Sequence, residues 1–297
     1  MSEWLYLPEK EMINLYSGTG RLPPPSVPLG TYDHLKTKAL APPKVGEDEF
    51  DNHVSDAAQY GRAEFWDDRY AREVEPFEWY YEYSYFSPII RDLVPLDARV
   101  LIAGCGTSLF SQDMVNDGYQ NITAFDISRV AIATQKLRCQ DRYPEITWLQ
   151  GNIVDTDLPE GTFDAIIDKA LLDAILCASM GEVNAKLYRV EADRLLKSDG
   201  IFIVITFGNP EIRLPLLEQN DLDVEYFTPW KTSVQAVIKP KEFPNEVLNP
   251  DDPDSLYFIY CLRKNPELVK AKLVKERKLI IKKNRKVERA TKKSSNL

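Results

Sequence analysis

A chain of 297 residues with 44% apolar and 28% charged side chains can bury a sizeable core, which excludes a fully disordered or fibrous protein. Its longest apolar run, Ile201 to Phe207 with Thr206 inside it, is far short of the roughly 20 residues that cross a bilayer, and no basic segment followed by an apolar one opens the chain, so no membrane contact is expected and the expected location is cytoplasmic. The formal charge of −9 divides into +11 on Arg263 to Leu297, where 14 Lys or Arg meet three acids, and −20 on the rest, an acidic body that disfavours nucleic acid as its main partner and suits a basic substrate.

Residues 1–58 carry Pro8, Pro23, Pro24, Pro25, Pro28, Pro42 and Pro43, an acidic Glu47-Asp48-Glu49 stretch and no sustained periodicity, which reads as a largely irregular extension. Its apolar segments, Trp4 to Leu7 and Met12 to Tyr16, fit either a strap on the protein's own surface or a short docking element. Folded structure is expected from near Gln59, giving a domain over residues 59–264. From Arg99 onward short apolar runs alternate with helical patterns, the signature of an α/β fold with a parallel sheet covered by helices. Strands are predicted at Arg99–Ala103, Ile122–Asp126, Thr147–Gln150, Phe163–Asp168 and Ile201–Thr206. Helices are predicted near Leu109–Asp117, from Ser128 toward Gln140, and over Gly181–Lys197, with Gly118 as a C-cap, Ser128 as an N-cap and Ser198-Asp199-Gly200 as a stop.

Phe207-Gly208-Asn209-Pro210 reads as a loop. Two later strands, Leu222–Phe227 and Ser255–Arg263, are joined by a Pro-rich connection without a helical pattern, so they are expected to pair antiparallel, because a parallel crossover usually carries a helix. Residues 265–297 form a basic tail with helix-forming composition, read as a solvated helix or a disordered segment, with contact to RNA or an acidic partner as the alternative. Cys105, Cys139, Cys177 and Cys261 show no metal-ligand spacing; they are read as reduced and no metal site is expected.

The first strand of this series runs into Gly104-Cys105-Gly106-Thr107-Ser108, where glycines let the backbone approach a ligand and the following helix offers free N–H groups. Any tight strand-to-helix turn also favours glycine, so the second signal matters. Asp126 ends the next strand 20 residues past Gly106, where a carboxylate can accept hydrogen bonds from both ribose hydroxyls of an adenosine cofactor. NAD and S-adenosylmethionine both fit that pair. The dinucleotide fingerprint needs a third glycine where Leu109 stands, and a terminal antiparallel strand pair suits a methyltransferase, so S-adenosylmethionine is favoured.

Five segments in order then resemble a known family. Gly61-Arg-Ala-Glu-Phe-Trp66-Asp-Asp-Arg69-Tyr70, Glu75-Pro-Phe-Glu-Trp79, Leu101-Ile-Ala-Gly-Cys-Gly-Thr-Ser108, Phe125-Asp126-Ile-Ser128 and Phe163-Asp-Ala-Ile-Ile-Asp168-Lys169-Ala-Leu-Leu-Asp173-Ala174 are similar to the eukaryotic protein-lysine methyltransferases acting on translation elongation factor 1-alpha. The resemblance covers about Tyr60 to Thr206. It implies a Rossmann-like, seven-stranded methyltransferase sheet, mostly parallel with an antiparallel C-terminal pair, and S-adenosylmethionine as cofactor. It also implies that Trp66, Tyr70 and Trp79 fold over the cofactor and that Gly104 lines its methionine end. Asp126 would take the ribose, Ile127 flank the adenine, Asn152 and Ile153 meet the adenine edge, and Lys169 complete the contacts. Departures concentrate after the fourth strand of the resemblance, where Ala170 and Leu171 stand for the family's Gly and Thr; Thr107 replaces an Asn in the glycine loop.

Methyl transfer to a lysine needs alignment and a neutral amine, so carboxylates near the acceptor are candidate catalytic groups. Asp168 and Asp173 are the candidates, Asp168 the better placed because it ends a strand at the sheet's carboxyl edge; helix capping is the alternative for Asp173. The loop at 207–210, with Arg213, is a candidate to face the acceptor. The functional expectation is a protein-lysine methyltransferase acting on elongation factor 1-alpha. Its competitors are a small-molecule methyltransferase and a non-catalytic cofactor-binding scaffold whose basic tail binds RNA or an acidic partner.

Overall fold

The computed structural model describes residues 26–27, 57–218 apart from 74 and 179, 230–240, 249, 252–265 and, in the tail, 267, 270, 274, 277 and 278. The segments at 4–16, the strand expected at 222–227 and most of the basic tail lie outside the described residues.

The strands are β1 (Ser26–Val27), β2 (Arg99–Ala103), β3 (Asn121–Asp126), β4 (Ile146–Gln150), β5 (Phe163–Lys169), β6 (Leu196–Thr206), β7 (Trp230–Ile238) and β8 (Leu256–Lys264). The α-helices are α1 (Ala63–Arg72), α2 (Tyr83–Leu93), α3 (Phe110–Asn116), α4 (Arg129–Cys139), α5 (Leu171–Cys177), α6 (Gly181–Leu195) and α7 (Pro210–Leu217). Across the sheet the strands run β1-β7-β8-β6-β5-β2-β3-β4. Strands β2 to β6 pair parallel, while β8 pairs antiparallel with both β6 and β7. Seven strands thus make the methyltransferase-type sheet, and β1 adds a two-residue antiparallel rung outside β7, Ser26 opposite Val237 and Val27 opposite Ala236. The chain proceeds from β2 outward to β4 and then reverses to β5 on the other side of β2, so the crevice for a ligand opens at the carboxyl ends of β2 and β5.

The continuous apolar runs follow from helices packing on both faces. In β2, Val100 and Ile102 join the cluster that α2, α3 and α4 cover through Phe86, Ile90, Phe110, Met114 and Ile132. Leu101 and Ala103 point to the other face and join α6 through Ala185, Tyr188, Ala192 and Leu195. Each large apolar side chain buried this way contributes roughly 1.5–3 kcal/mol. Gly118, at φ +108°, ends α3 in a Schellman motif: its N–H bonds Val115 O at 2.9 Å and the Tyr119 N–H bonds Met114 O at 3.1 Å. The Ser128 hydroxyl caps α4 by accepting the Ala131 N–H at 3.1 Å.

Three expectations are corrected. The antiparallel partner of β8 is Trp230–Ile238, whose alternation of buried Trp230, Thr232, Val234 and Ala236 with polar Lys231, Ser233 and Gln235 reads as a half-buried strand. Strand β6 begins at Leu196, because the Ser198-Asp199-Gly200 stretch is an irregularity within it: Leu196 pairs with Phe163 and Ile201 with Ala165. Asn209-Pro210 opens a helix, α7, with the Asn209 side chain accepting the Ile212 N–H at 3.2 Å and proline in the first turn, where its missing N–H is harmless.

Candidate functional site

At the end of β2 the chain turns through Gly104 and Gly106, with φ of +68° and +49°. A Cβ on Gly104 would stand 2.9 Å from Leu171 Cβ, and one on Gly106 2.6 Å from the Tyr70 hydroxyl, so the turn needs glycine for both conformation and room. Helix α4 holds the loop by its carbonyls. The buried Gln135 amide donates to Gly106 O at 3.2 Å and Ser108 O at 2.6 Å, and Arg138 donates to Thr107 O at 2.8 Å. The Asp126 carboxylate closes the other side, accepting the Gly106 N–H at 2.7 Å and the Ser128 N–H at 2.8 Å. Burial pushes its carboxyl up to about 6, against the lowering effect of those two N–H groups.

The N-terminal wall comes from α1 and the segment after it. Trp66 stacks on Tyr70 at 5.6 Å, meets Trp79 edge-on at 6.3 Å, and donates its indole N–H to Tyr60 O at 2.7 Å. The buried Arg69 lies 4.5 Å from the Phe77 ring and 5.4 Å from that of Trp79, with Glu73 as its ion-pair partner at 3.0 Å. Asp67 fastens α1 to α4 by accepting from Ser128 Oγ at 2.6 Å, Arg129 Nε at 3.0 Å and the Val130 N–H at 3.2 Å. Glu78 fastens the following segment: its carboxylate accepts from Ser108 Oγ at 2.7 Å, the Leu109 N–H at 2.7 Å and Lys169 Nζ at 2.9 Å. Lys169 also donates to Trp79 O at 2.7 Å. Burial lowers the pKa of its ammonium and Glu78 opposes the shift.

One cavity at the carboxyl edge gathers these segments. Trp66, Tyr70 and Trp79 line it from the N-terminal side, Gly104 from the end of β2, Asp126 and Ile127 from β3, Asn152 and Ile153 from the end of β4, and Lys169 from the end of β5. A buried carboxylate beside a glycine turn, apolar side chains past the second strand end and aromatic faces opposite them fit an adenosine cofactor with a cationic end.

The two candidate catalytic carboxylates separate. Asp168 is fully buried beneath α5, accepts the N–H groups of Leu171 at 2.8 Å and Leu172 at 3.0 Å, and does not line the cavity. Burial, with the nearby Asp173 charge, pushes its carboxyl up to about 8. Asp173 does line the cavity, but its oxygens are engaged: one accepts from Thr206 Oγ at 2.6 Å and Arg213 Nη2 at 2.5 Å, the other from the Tyr80 hydroxyl. Between the two, Ala170 takes φ +73°, the position where the resembled family carries glycine; a left-handed non-glycine residue costs about 1–2 kcal/mol. Arg213, expected near the acceptor, does not line the cavity itself but pairs with Asp173 and lies 5.8 Å from the ring of Phe207, both of which line it.

Phe207, the first residue of the segment expected to face the acceptor, does line the cavity, whereas Tyr80 is a wall residue that sequence reasoning did not single out. Tyr80 has φ +65°, unusual for a bulky residue, and its carbonyl accepts the Tyr257 hydroxyl at 3.0 Å. Its ring meets Phe207 edge-on at 6.4 Å. Nothing in the Trp79-Tyr80-Tyr81 run marks the middle ring; only the left-handed backbone turns it toward Asp173.

A methyltransferase-domain family profile matches residues 101–204. The chain is 30% identical over 195 residues to EEF1A lysine methyltransferase 4 of Mus musculus, covering 62% of this chain and 72% of that protein. The Bos taurus protein of the same name is 31% identical over 165 residues, covering 52% and 64%. The eEF1A lysine and N-terminal methyltransferase of Mus musculus is 30% identical over 159 residues, which are 52% of this chain and 22% of that longer protein.

Proposed function

The chain belongs to the family of the eEF1A lysine methyltransferases and carries their methyltransferase domain, and on that premise we propose that it is an S-adenosylmethionine-dependent protein-lysine N-methyltransferase acting on translation elongation factor 1-alpha. The observation that carries this reading is the cavity at the switch point, with Asp126 on one side and Trp66, Tyr70 and Trp79 on the other. Asp126 would accept the ribose hydroxyls, Ile127 and Ile153 enclose the adenine with Asn152 at its edge, and Gly104 leave room for the methionine part. The aromatic wall excludes water and offers π faces to a sulfonium. When bound, the cofactor supplies an electrophilic methyl group.

The acceptor side does the rest by desolvation and alignment. A lysine near its usual pKa of about 10.4 is charged at neutral pH, and a wall of Tyr80, Phe207, Ala174 and Cys177 disfavours the charged form. Asp173 is committed to three donors, and Asp168, raised to about 8, is mostly uncharged and capped beneath a helix. Neither is a free base, so the amine loses its proton to water before it meets the methyl group. Asp173, Arg213, Thr206 and Tyr80 hold the wall in place.

Radiolabelled S-adenosylmethionine and cytosolic extract from methyltransferase-deficient cells test the reading. One protease-sensitive labelled band at the elongation factor's mass is the expected result. Label confined to small molecules refutes a protein acceptor, and no label despite cofactor binding refutes catalysis.

A further inference from the structure

Outside the cavity, the described surface carries a concentration of exposed apolar side chains at the start of α6. Met180, just before the helix, Val183 and Leu187 are exposed, and their spacing of three and four residues sets them on one face. Asn184, on that same face, lines the cavity. The core uses a different face, where Gly181, Ala185, Tyr188, Ala192 and Leu195 are buried, so packing among the described residues does not explain the exposed stripe.

Helix α7 extends the patch. Arg189 of α6 donates to Leu216 O of α7, which sets the helices side by side, and one turn before Leu216 stands Ile212, also exposed. Because α7 follows the carboxyl end of β6 and α6 follows β5 through α5, both helices start at the sheet edge where the cavity opens. Asn184, on the stripe's own face, and Phe207, just before α7, both line the cavity, so the four side chains lie on the two helices that border it there.

An acceptor side chain entering the cavity past Asn184 and Phe207 brings the surface around it against this rim. The geometry points to Met180, Val183, Leu187 and Ile212 as the docking surface for the methyl-accepting protein, whose own surface beside the acceptor lysine carries an apolar patch bordered by basic side chains. This rests on the function proposed above. The acidic Glu182 and Glu211 stand beside the stripe in the first turns of α6 and α7, and the chain outside Arg263–Leu297 carries −20. Such a rim repels phosphates and a second acidic copy and complements a basic protein. Exposed apolar side chains gathered beside charged ones at the border of a cavity are a usual mark of a protein contact.

The test uses the full chain with Val183→Ser/Leu187→Ser, Leu187→Lys and, as a distant control, Leu137→Ser, exposed on α4. Purified elongation factor 1-alpha is the acceptor, and calorimetry with S-adenosylhomocysteine reads the cofactor site. Both rim variants are expected to raise KM for the factor about tenfold or more, with kcat within about twofold and cofactor affinity unchanged. Unchanged KM in an enzyme that methylates the factor overturns the docking surface alone. An equal loss in Leu137→Ser overturns it, as does a wild-type dimer in sedimentation that the rim variants abolish. A wild-type enzyme that binds S-adenosylhomocysteine but labels no protein overturns the proposed function and the docking surface together.

Discussion

Replacing Asp173 by Asn distinguishes a base from a brace. Its carboxylate pairs with Arg213 at 2.5 Å, each side chain 9% exposed, and also accepts from Thr206 and Tyr80. Asparagine keeps the shape and removes the charge, leaving the guanidinium buried without its counter-ion. Removing one partner of a buried pair costs about 3–5 kcal/mol, and solvent screening is small at this exposure. At roughly 2–4 °C per kcal/mol for a domain of this size, the melting temperature should fall by roughly 6–20 °C. Urea unfolding of wild type, Asp173→Asn, Arg213→Met and the double variant gives the coupling. The double variant should lose about 1 kcal/mol or more less than the sum of the singles, because the stranded charge is gone. An Asp173→Asn protein that melts within about 2 °C of wild type yet loses a hundredfold or more in kcat would refute the brace and restore Asp173 as a base.

Asp126→Ala should abolish S-adenosylhomocysteine binding in calorimetry, and unchanged affinity would sink the ribose assignment. In the wild type, Asp126 rises from its usual 3.8 to about 6, so it is protonated in the fold where the unfolded chain is ionised, and its contribution to stability falls as pH climbs from 4 to 6, by about 3 kcal/mol. Ribose hydroxyls favour the ionised form, so affinity should weaken below pH 6 with proton release on binding; pH-independent affinity there contradicts the assignment. Glu78→Gln removes the anion facing Lys169 and should cost about 1.5–3 kcal/mol at pH 7. Burial lowers the Lys169 pKa, so the ammonium loses its proton as pH rises and no longer needs the carboxylate. The gap between variant and wild type in urea should narrow toward alkaline pH, and a gap that widens is the wrong sign.

The sheet was legible because its strands are buried on both faces and read as unbroken apolar runs, with Gly118 and Ser128 marking helix ends by local chemistry alone. Strand β7 escaped because Lys231, Thr232, Ser233 and Gln235 dilute its apolar residues, and Thr232 is buried despite its hydroxyl. Helix α7 escaped because Pro215 argues against a helix, while Asn209 and Pro210 argue for one. In the site, Gly104, Gly106 and Asp126 are tied by geometry that a strand-turn-helix pattern fixes. Trp66, Tyr70 and Trp79 reach the cavity through contacts with Tyr60, Arg69 and α4 that no local pattern encodes. The strand pattern ranks Asp168 above Asp173, and the structure reverses that order, because Asp173 lines the cavity and Asp168 does not. A left-handed turn at Ala170 and the ion pair to Arg213, 40 residues away, set them apart.

The small strand β1 has a consequence for solubility. An outermost strand such as β7 presents unpaired backbone groups on which another chain's strand can grow, the usual seed of edge-to-edge aggregation. Here that edge is taken, opposite Ala236 and Val237, by a rung of two residues. In the sequence the rung is bracketed by Pro25 and Pro28, neither of which has an N–H to donate. The two-residue rung covers the edge opposite Ala236 and Val237, and the prolines that flank it in the sequence make it a poor template for the next strand.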